Sequence, residues 1–553
     1  MIRDTNPSEL LIYKVLLVLV VIVNGLGLFN IIFTGDSALY ATISKTIVTS
    51  GNYLDLYVGG EDWLDKPHFP FWICALSMEL FGLNSFAYKL PSFIFFLMAL
   101  WYTYKLGKEL YSLRVGWVAM IIFGSALHIM ISNNDVRAEA ILMGVIMGGV
   151  YHMWKCSLSN SVIHFLLAAV FSACAIMTKG IFVLIIVYSA VLGDLLIRNP
   201  KALLSWKWPL LVLATGVFTL PELYALYHQF DVHPEKVVFE RTGVSGVRFF
   251  LWDSQFGRFF NTGPITGKGD PLFFLHTFLW AFAPWAFLAI IPLFYTVRNL
   301  LGWRKDREYV TFFGFIIMFL VFSISGFQLP HYTNILFPFV AILTGRYLEN
   351  LFSNSNVNPG LKMYAIILSV LFIIAVLGIQ FLFAPGKWGV LVVLLLVFVG
   401  VFLALKIQSG RFQLLQPFIG LVLAILLVGG YVNTVFYPRL LSSYQAGYSA
   451  AQYYNSLETT APVIALEEDW LLTFYMDGEV YYDIEKGKNE GYKELFIYGS
   501  DQTIHRLDKE RKRINEVKTF PYFHITKING KFLNTRTRAE VLKQKKLYKL
   551  EGE

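Results

Sequence analysis

The 553-residue sequence is poor in charge: Asp, Glu, Lys and Arg make up 15% of it, while 56% is hydrophobic and the mean hydropathy is +0.55. Soluble globular chains carry nearer a quarter charged residues, so this composition excludes an ordinary soluble enzyme. Cysteine is scarce as well. Cys74, Cys156 and Cys174 are the three present. Each lies in or beside an apolar stretch and none has C-x-x-C spacing, so they read as small buried hydrophobes rather than a disulfide or metal framework. The sequence has no D-x-D pair of the kind that holds a nucleotide sugar through a metal. It has no His-x-His pattern, no solenoid period and no low-complexity tract. The formal net charge of +8 does not imply nucleic acid. Its Lys and Arg excess sits in short loops between apolar runs and in the C-terminal tail, where topology signals and anionic headgroups account for it.

What the chain does have is long apolar runs. The first, Leu11 to Phe33, is followed by comparable runs as far as Tyr431, each near the ~20 residues that a bilayer demands. About thirteen spans are expected, centred near residues 22, 97, 124, 147, 169, 189, 216, 284, 317, 340, 371, 397 and 425. The first is too long for the core of a cleavable signal, and no convincing small-residue cleavage site follows it, so it is expected to be retained. One alternate set of loops carries Lys105, Lys108 and Arg114; Lys155; Arg198, Lys201 and Lys207; Arg298, Arg304, Lys305 and Arg307; Arg346 and Lys362; Lys406 and Arg411. The positive-inside rule makes that set cytoplasmic. A multi-pass inner-membrane protein follows, with its N-terminus cytoplasmic and, from the odd count, its C-terminus periplasmic.

Hydrophobicity falls away after Tyr437-Pro438. The expected organisation is an all-α polytopic membrane domain over residues 1–440, with exoplasmic loops 34–90 and 227–270, and a small periplasmic α/β domain over residues 441–553. Runs 463–466, 479–482 and 494–498 read as strands, and 536–550 as a basic helix.

Unusual polar residues collect in the exoplasmic set of loops. Asp36 follows the first span and opens a segment, Ala38 to Val48, with the pattern of an interfacial amphipathic helix; a helix-capping role is the competing account of Asp36. Trp63-Leu-Asp-Lys-Pro-His-Phe-Pro-Phe-Trp72 is an irregular turn fixed by two prolines, with Lys66 available as a point charge for a phosphate. Asp135-Val-Arg-Ala-Glu139 places Arg137 and Glu139 near membrane depth, where ionisable residues are functional candidates and a mutual salt bridge is the plainer alternative. Lys179 ends a span in Thr178-Lys-Gly180. Arg258 lies among aromatics in Asp253-Ser-Gln-Phe-Gly-Arg-Phe-Phe260, and Gln328-Leu-Pro-His-Tyr332 presents His331 and Tyr332. Carboxylates, cations and a His-Tyr pair on one face suit a reaction that displaces an anionic phosphate: cations stabilise the leaving group, and a carboxylate takes a proton or orients the acceptor. A transporter or flippase of lipid-linked sugars would use the same spans and cations, but such proteins usually place charges near the midplane and show related halves.

In this order, over roughly residues 10 to 350, these elements resemble the GT-C glycosyltransferases of the ArnT and protein O-mannosyltransferase type. The resemblance rests on Asp36 and Tyr40, the turn Asp65-Lys66-Pro67, the Thr-Lys-Gly junction, the element around Arg258, and Leu329, Pro330 and Tyr332. It implies transfer of a sugar, with inversion, from a polyprenyl (undecaprenyl) phosphate carrier to an envelope acceptor such as lipid A or protein. Asp36 would be the catalytic carboxylate and Glu139 the second acid lining the cavity. Lys66, Arg258 and Tyr332 would hold the carrier phosphate, with Tyr40, Asp65, Arg137, Lys179 and His331 in support. No cofactor is required, and a divalent ion at Asp65 and Asp253 is compatible with the pattern. The chain departs from its relatives at Leu39, where the family pattern Asp-Glu-x-Arg-Tyr has arginine, and at Asp65, where the usual residue is glutamate. These changes bear on the sugar and the acceptor more than on the reaction class.

Overall fold

The computed structural model describes residues 7–260, 262, 267–353, 356–386, 413–483, 494–503 and 514–551. Eight described helices are long and apolar enough to cross a membrane: Pro7–Phe29, Ser85–Leu110, Ala138–Leu158, Val162–Lys179, Lys207–Asp231, Pro330–Phe352, Pro359–Phe383 and Gln413–Tyr444. Each contains an expected span centre. The centres near 124, 189 and 317 fall on the shorter helices Leu113–Gly124, Val183–Arg198 and Val310–Ile324, and that near 284 falls between Phe273–Ala281 and Ala286–Leu301. The expected span near 397 lies outside the described residues. The chain is thus a mostly helical polytopic membrane protein with a small C-terminal sheet domain.

Helix α1 (Pro7–Gly25) leads into α2 (Gly35–Ser50), a two-stranded hairpin of β1 (Tyr57–Val58) and β2 (Glu61–Asp62), and α3 (Phe69–Phe81). The expected loop 34–90 is therefore largely structured. Its segment Ala38 to Val48 is a helix covered largely by protein. Ala38, Ala41, Thr42, Ile43 and Ile47 are buried, because α2 packs between α3 and the C-terminal domain. Tertiary cover replaced the lipid that the amphipathic pattern suggested.

Past α4 (Ser85–Leu110), α5 (Leu113–Gly124) and α6 (Leu127–Ser132), the centre of the membrane domain is α7 (Ala138–Leu158), nearly all of whose residues are buried. It packs on α4 (Ser85–Leu110), α8 (Val162–Lys179) and α9 (Val183–Arg198). A Cβ at Gly144 would stand 2.5 Å from the Phe95 carbonyl oxygen, and one at Gly148 would stand 2.9 Å from the Phe171 ring. These two glycines let α4 and α8 approach closely, the small-residue device common where lipid supplies no hydrophobic drive.

In the C-terminal domain a five-stranded sheet runs in the order β4-β3-β5-β7-β6: β3 (Val463–Ala465), β4 (Val480–Tyr481), β5 (Glu494–Ser500), β6 (Ile514–Tyr522) and β7 (Lys543–Glu551). The first three match the strand expectations. The basic helix expected over 536–550 is instead mostly β7, paired antiparallel with both β5 and β6. Its lysines obscured a period of two: Lys545 and Leu547 are both buried, and Lys545 is neutralised by Asp469 at 2.9 Å.

The domain is bolted to the membrane domain. Lys45 of α2 donates to the carbonyls of Thr473, Phe474 and Met476 at 3.1, 3.0 and 2.8 Å. The Tyr475 hydroxyl accepts from the Ile32 amide at 2.9 Å, and Arg538 donates to the Phe383 carbonyl at 2.9 Å. Lys45 satisfies carbonyls at the end of the short helix Trp470–Tyr475, where cations are favoured. Lys45→Met keeps much of the packing and removes this cap, so it should cost roughly 1.5–3 kcal/mol. The expected readout is a lower melting temperature in detergent and faster proteolysis at the domain junction; unchanged values in both would contradict this docking role.

Candidate active site

Thr34, not Asp36, caps α2: its backbone is extended and its Oγ1 accepts from the Ser37 amide at 3.2 Å. That overturns the capping account of Asp36. The Asp36 side chain is two-thirds exposed (66%), and its Oδ2 accepts from Arg137 Nη1 at 2.5 Å. Arg137 also donates through Nε to Asp135 Oδ2 at 2.8 Å and through Nη2 to Thr34 Oγ1 at 3.1 Å. The threonine hydroxyl donates in turn to Asp135 Oδ1 at 2.6 Å. Burial alone would lower the Arg137 pKa, but Asp135 and Asp36 hold it above the usual guanidinium range. The plainer pairing of Arg137 with Glu139 does not form.

The loop bearing Asp135 and Arg137 rests on buried amides. Asn133 donates to Asn24 at 2.7 Å, Asn134 to Asn433 at 2.7 Å, and Asn30 to Asn134 at 3.0 Å. These asparagines were missed in the sequence. Their signal was there, since Asn24, Asn30 and Asn433 interrupt or adjoin apolar runs where an unpaired amide is costly.

Glu139 stands in the first turn of α7 and is 2% exposed. It accepts from Lys179, and His331 Nε2 lies 3.7 Å from its other oxygen. Lys179 is the last residue of α8, which stops because Gly180 takes φ +96°, a conformation open mainly to glycine. The ammonium lies 3.7 Å from the centre of the Tyr332 ring, within cation–π range. Lys179 thus sits as centrally as any residue expected in the main roles.

The turn Asp65-Lys66-Pro67 brings Lys66 Nζ to 2.5 Å from Asp65 Oδ2. It is braced from α10 (Lys207–Leu226) by Glu222, another residue missed in the sequence. Glu222 is fully buried and accepts from the His68 amide at 3.0 Å. It also meets the His68 ring Nδ1 at 2.9 Å, while Nε2 meets the Leu54 carbonyl at 3.0 Å. A carbonyl only accepts, so Nε2 carries a proton. A glutamate beside Pro221 in an apolar run was the available signal.

Two cavities meet at these residues. One, of about 960 Å³, is an apolar chamber walled by Phe182, Phe249, Phe250, Met318 and Phe322. The other, of about 660 Å³, is polar and walled by Asp36, Tyr40, Arg137, Glu139 and His331, with Leu39 alongside. Asp65, Lys66, Lys179 and Tyr332 line both. Tyr40 is half-buried in the hydrophobic packing of α2 and α3, and desolvation raises its phenol pKa. Arg258 is on the helix Ser254–Phe260, whose Ser254, Gln255 and Phe259 face the apolar chamber; the Arg258 side chain lies outside what the structure describes. Asp253 is half exposed and 3.6 Å from Arg248, and it lines neither cavity. Asp65 and Asp253 therefore each face a cation. No group of three or more His, Cys, Asp or Glu is placed to hold an ion among the described residues.

Residues 65–224 match the family model of dolichyl-phosphate-mannose-protein mannosyltransferases, a stretch that includes Lys66, Arg137, Glu139 and Lys179. An uncharacterized protein of Aquifex aeolicus (strain VF5) is 25% identical over 338 residues, covering 60% of this chain and 62% of that one. The undecaprenyl phosphate-alpha-4-amino-4-deoxy-L-arabinose arabinosyl transferase 2 of Proteus mirabilis (strain HI4320) is 23% identical over 383 residues, covering 65% and 64%. The chain thus spans somewhat under two thirds of the length of either relative. The crystal structure of ArnT from Cupriavidus metallidurans bound to undecaprenyl phosphate superposes with a TM-score of 0.72 at 16% identity, covering 99% of this chain and 98% of that one. The protein is therefore a polytopic membrane protein with the GT-C fold. Within that class its fold is similar to that of ArnT, and residues 65–224 are similar to dolichyl-phosphate-mannose-protein mannosyltransferases.

Breaking the Glu139–Lys179 pair from one side leaves a buried, uncompensated carboxylate. Lys179→Met should destabilise the protein by about 3–5 kcal/mol, and the double change Lys179→Met, Glu139→Gln should recover most of that loss. Thermal unfolding in detergent measures both; a double variant no more stable than the single one would contradict the pairing.

Proposed function

We propose that the chain is an inverting glycosyltransferase that takes a sugar from a polyprenyl-phosphate carrier and transfers it to an acceptor of the cell envelope. One observation carries this reading: Lys66, Lys179 and Tyr332 stand at the boundary between an apolar chamber and a polar cavity that contains Asp36. A lipid phosphate has that shape, an apolar tail ending in an anion with its sugar beyond it. The names of the related transferases support the same donor class.

In this mechanism the carrier chain occupies the apolar chamber, and the phosphate meets Lys66, Tyr332 and Arg258. The acceptor oxygen attacks the anomeric carbon from the face opposite the phosphate. The bond from that carbon to the phosphate oxygen breaks, and its electron pair stays on the phosphate, where the cations stabilise it. A hydroxyl acceptor gives its proton to Asp36; a phosphate acceptor would only be oriented by it. Glu139 holds Lys179 against Tyr332. No step is assigned to a metal. The charged groups gather at helix ends on one side, Glu139 in the first turn of α7 and Lys179 at the last residue of α8, whereas a transporter would place them near the midplane.

The active face is taken as the periplasmic side of the inner membrane, with the N-terminus cytoplasmic and the C-terminal domain periplasmic. A single cysteine placed in the exposed part of that domain should react with an impermeant thiol reagent in cells whose outer membrane alone is permeabilised. Labelling only after inner-membrane lysis would overturn the orientation.

Transfer from a defined undecaprenyl-phosphate sugar by purified protein tests the chemistry. Asp36→Asn should lower turnover ~10²–10⁴-fold if Asp36 is the base. Its stability should move by less than about 1 kcal/mol, because the cap is Thr34 and the Arg137 pair is largely exposed on the Asp36 side. Lys66→Ala should weaken donor binding by about 1.5–3 kcal/mol. Unchanged turnover in Asp36→Asn together with unchanged donor affinity in Lys66→Ala would remove both assignments.

A further inference from the structure

A second polar cavity, of about 770 Å³, lies between the membrane domain and the C-terminal domain. Asp36 and Arg137 line it as well as the donor-side cavity, so the same carboxylate opens onto both. Its far wall belongs to the C-terminal domain: Glu468, Asp469, Trp470, Tyr522, His524 and Lys545. Resting on the transferase reading above, we propose that this groove seats the acceptor, and that the acceptor offers a carbohydrate hydroxyl rather than a phosphate.

Charge decides against phosphate. Both cations of the groove are already committed to two carboxylates each. Arg137 serves Asp36 and Asp135 at 2.5 and 2.8 Å, and Lys545 serves Asp469 and Glu467 at 2.9 and 3.7 Å. Glu468 is exposed and pairs with no cation among the described residues. Three carboxylates, Asp36, Glu468 and Asp469, and two cations line the groove, and Asp135 and Glu467 pair with those cations from outside its lining. His524 also lines it, with its Nδ1 engaged by the Thr526 hydroxyl at 2.9 Å. An incoming phosphate would meet like charge from Asp36 on one wall and from Glu468 and Asp469 on the other.

The same wall suits sugar hydroxyls. Carboxylates accept from them, and Trp470 and Tyr522 line the groove beside those acceptors, the mixture of shaped apolar area and few polar groups that fixes a ligand's orientation. The chemistry then balances in one way. The acceptor O–H bond breaks, its oxygen joins the anomeric carbon, and its proton passes to Asp36. Asp36 Oδ2 is held by Arg137, which leaves Oδ1 for that proton. The electron pair of the broken bond leaves on the carrier phosphate.

The test uses intact cells with the wild-type chain, without it, and with Glu468→Lys or Glu468→Gln, read by mass spectrometry of the envelope. The chain-dependent sugar should be found on a carbohydrate hydroxyl, as a glycoside that survives mild acid. Glu468→Lys should lower its amount at least 10-fold at equal protein level, and Glu468→Gln should lower it less. A sugar released by mild acid as a glycosyl phosphodiester, or one found on serine or threonine, would overturn this inference and leave the transferase reading standing. So would a full product level in Glu468→Lys. No chain-dependent sugar on any acceptor would overturn the transferase reading itself, and the inference with it.

Discussion

The active face depends on one guanidinium. Arg137 joins the chain just after the first span, through Asp36 and Thr34, to the chain just before the central helix α7, through Asp135. These segments are 101 residues apart in sequence at the Asp36–Arg137 contact. The geometry is self-limiting. Thr34 Oγ1 donates to Asp135 and accepts from both Arg137 and the Ser37 amide, so its one proton and its lone pairs are all used. The planar fork of arginine can reach three such partners at fixed angles, which a lysine cannot. With Arg137 in place, Asp36 points into two cavities at once.

From that clamp the rest of the site follows as a division of solvent. On one side aromatic and aliphatic side chains wall a chamber suited to a hydrocarbon chain; on the other, paired charges wall a space suited to sugars. Lys66, Lys179 and Tyr332 stand on the boundary. The C-terminal domain adds a third region, and Lys45 and Tyr475 hold it against α2. Its role is then more than docking, because it supplies one wall of a cavity that reaches Asp36.

Much of this was legible in the sequence, for a physical reason. Membrane spans announce themselves by length and apolarity, and ionisable residues near such spans are too costly to be idle. Asp36, Lys66, Arg137, Glu139, Lys179, His331 and Tyr332 were therefore found, and the structure gathers all of them around one polar cavity. Pairing was less legible. Proximity in sequence suggested Arg137 with Glu139, whereas helix geometry gives Arg137 to Asp36 and Glu139 to Lys179. A cap competed with catalysis as the account of Asp36 because two good capping residues, Thr34 and Asp36, stand two positions apart, and only backbone angles choose between them. The supporting amides and Glu222 were less legible because a polar side chain within an apolar run does not show which distant groups it meets. The lysine-rich end of the chain failed as a helix because its sheet partners on β5 lie 45 to 57 residues away, where no local pattern records them.

The account's central claim is that a polyprenyl phosphate binds across the boundary between the two cavities. A structure of the purified protein with undecaprenyl phosphate tests it most directly. The account predicts the phosphate beside Lys66, Lys179 and Tyr332, with the first isoprene units against Phe182, Phe249 and Phe322. A phosphate bound away from Lys66, or a chain lying outside the apolar chamber, would contradict it.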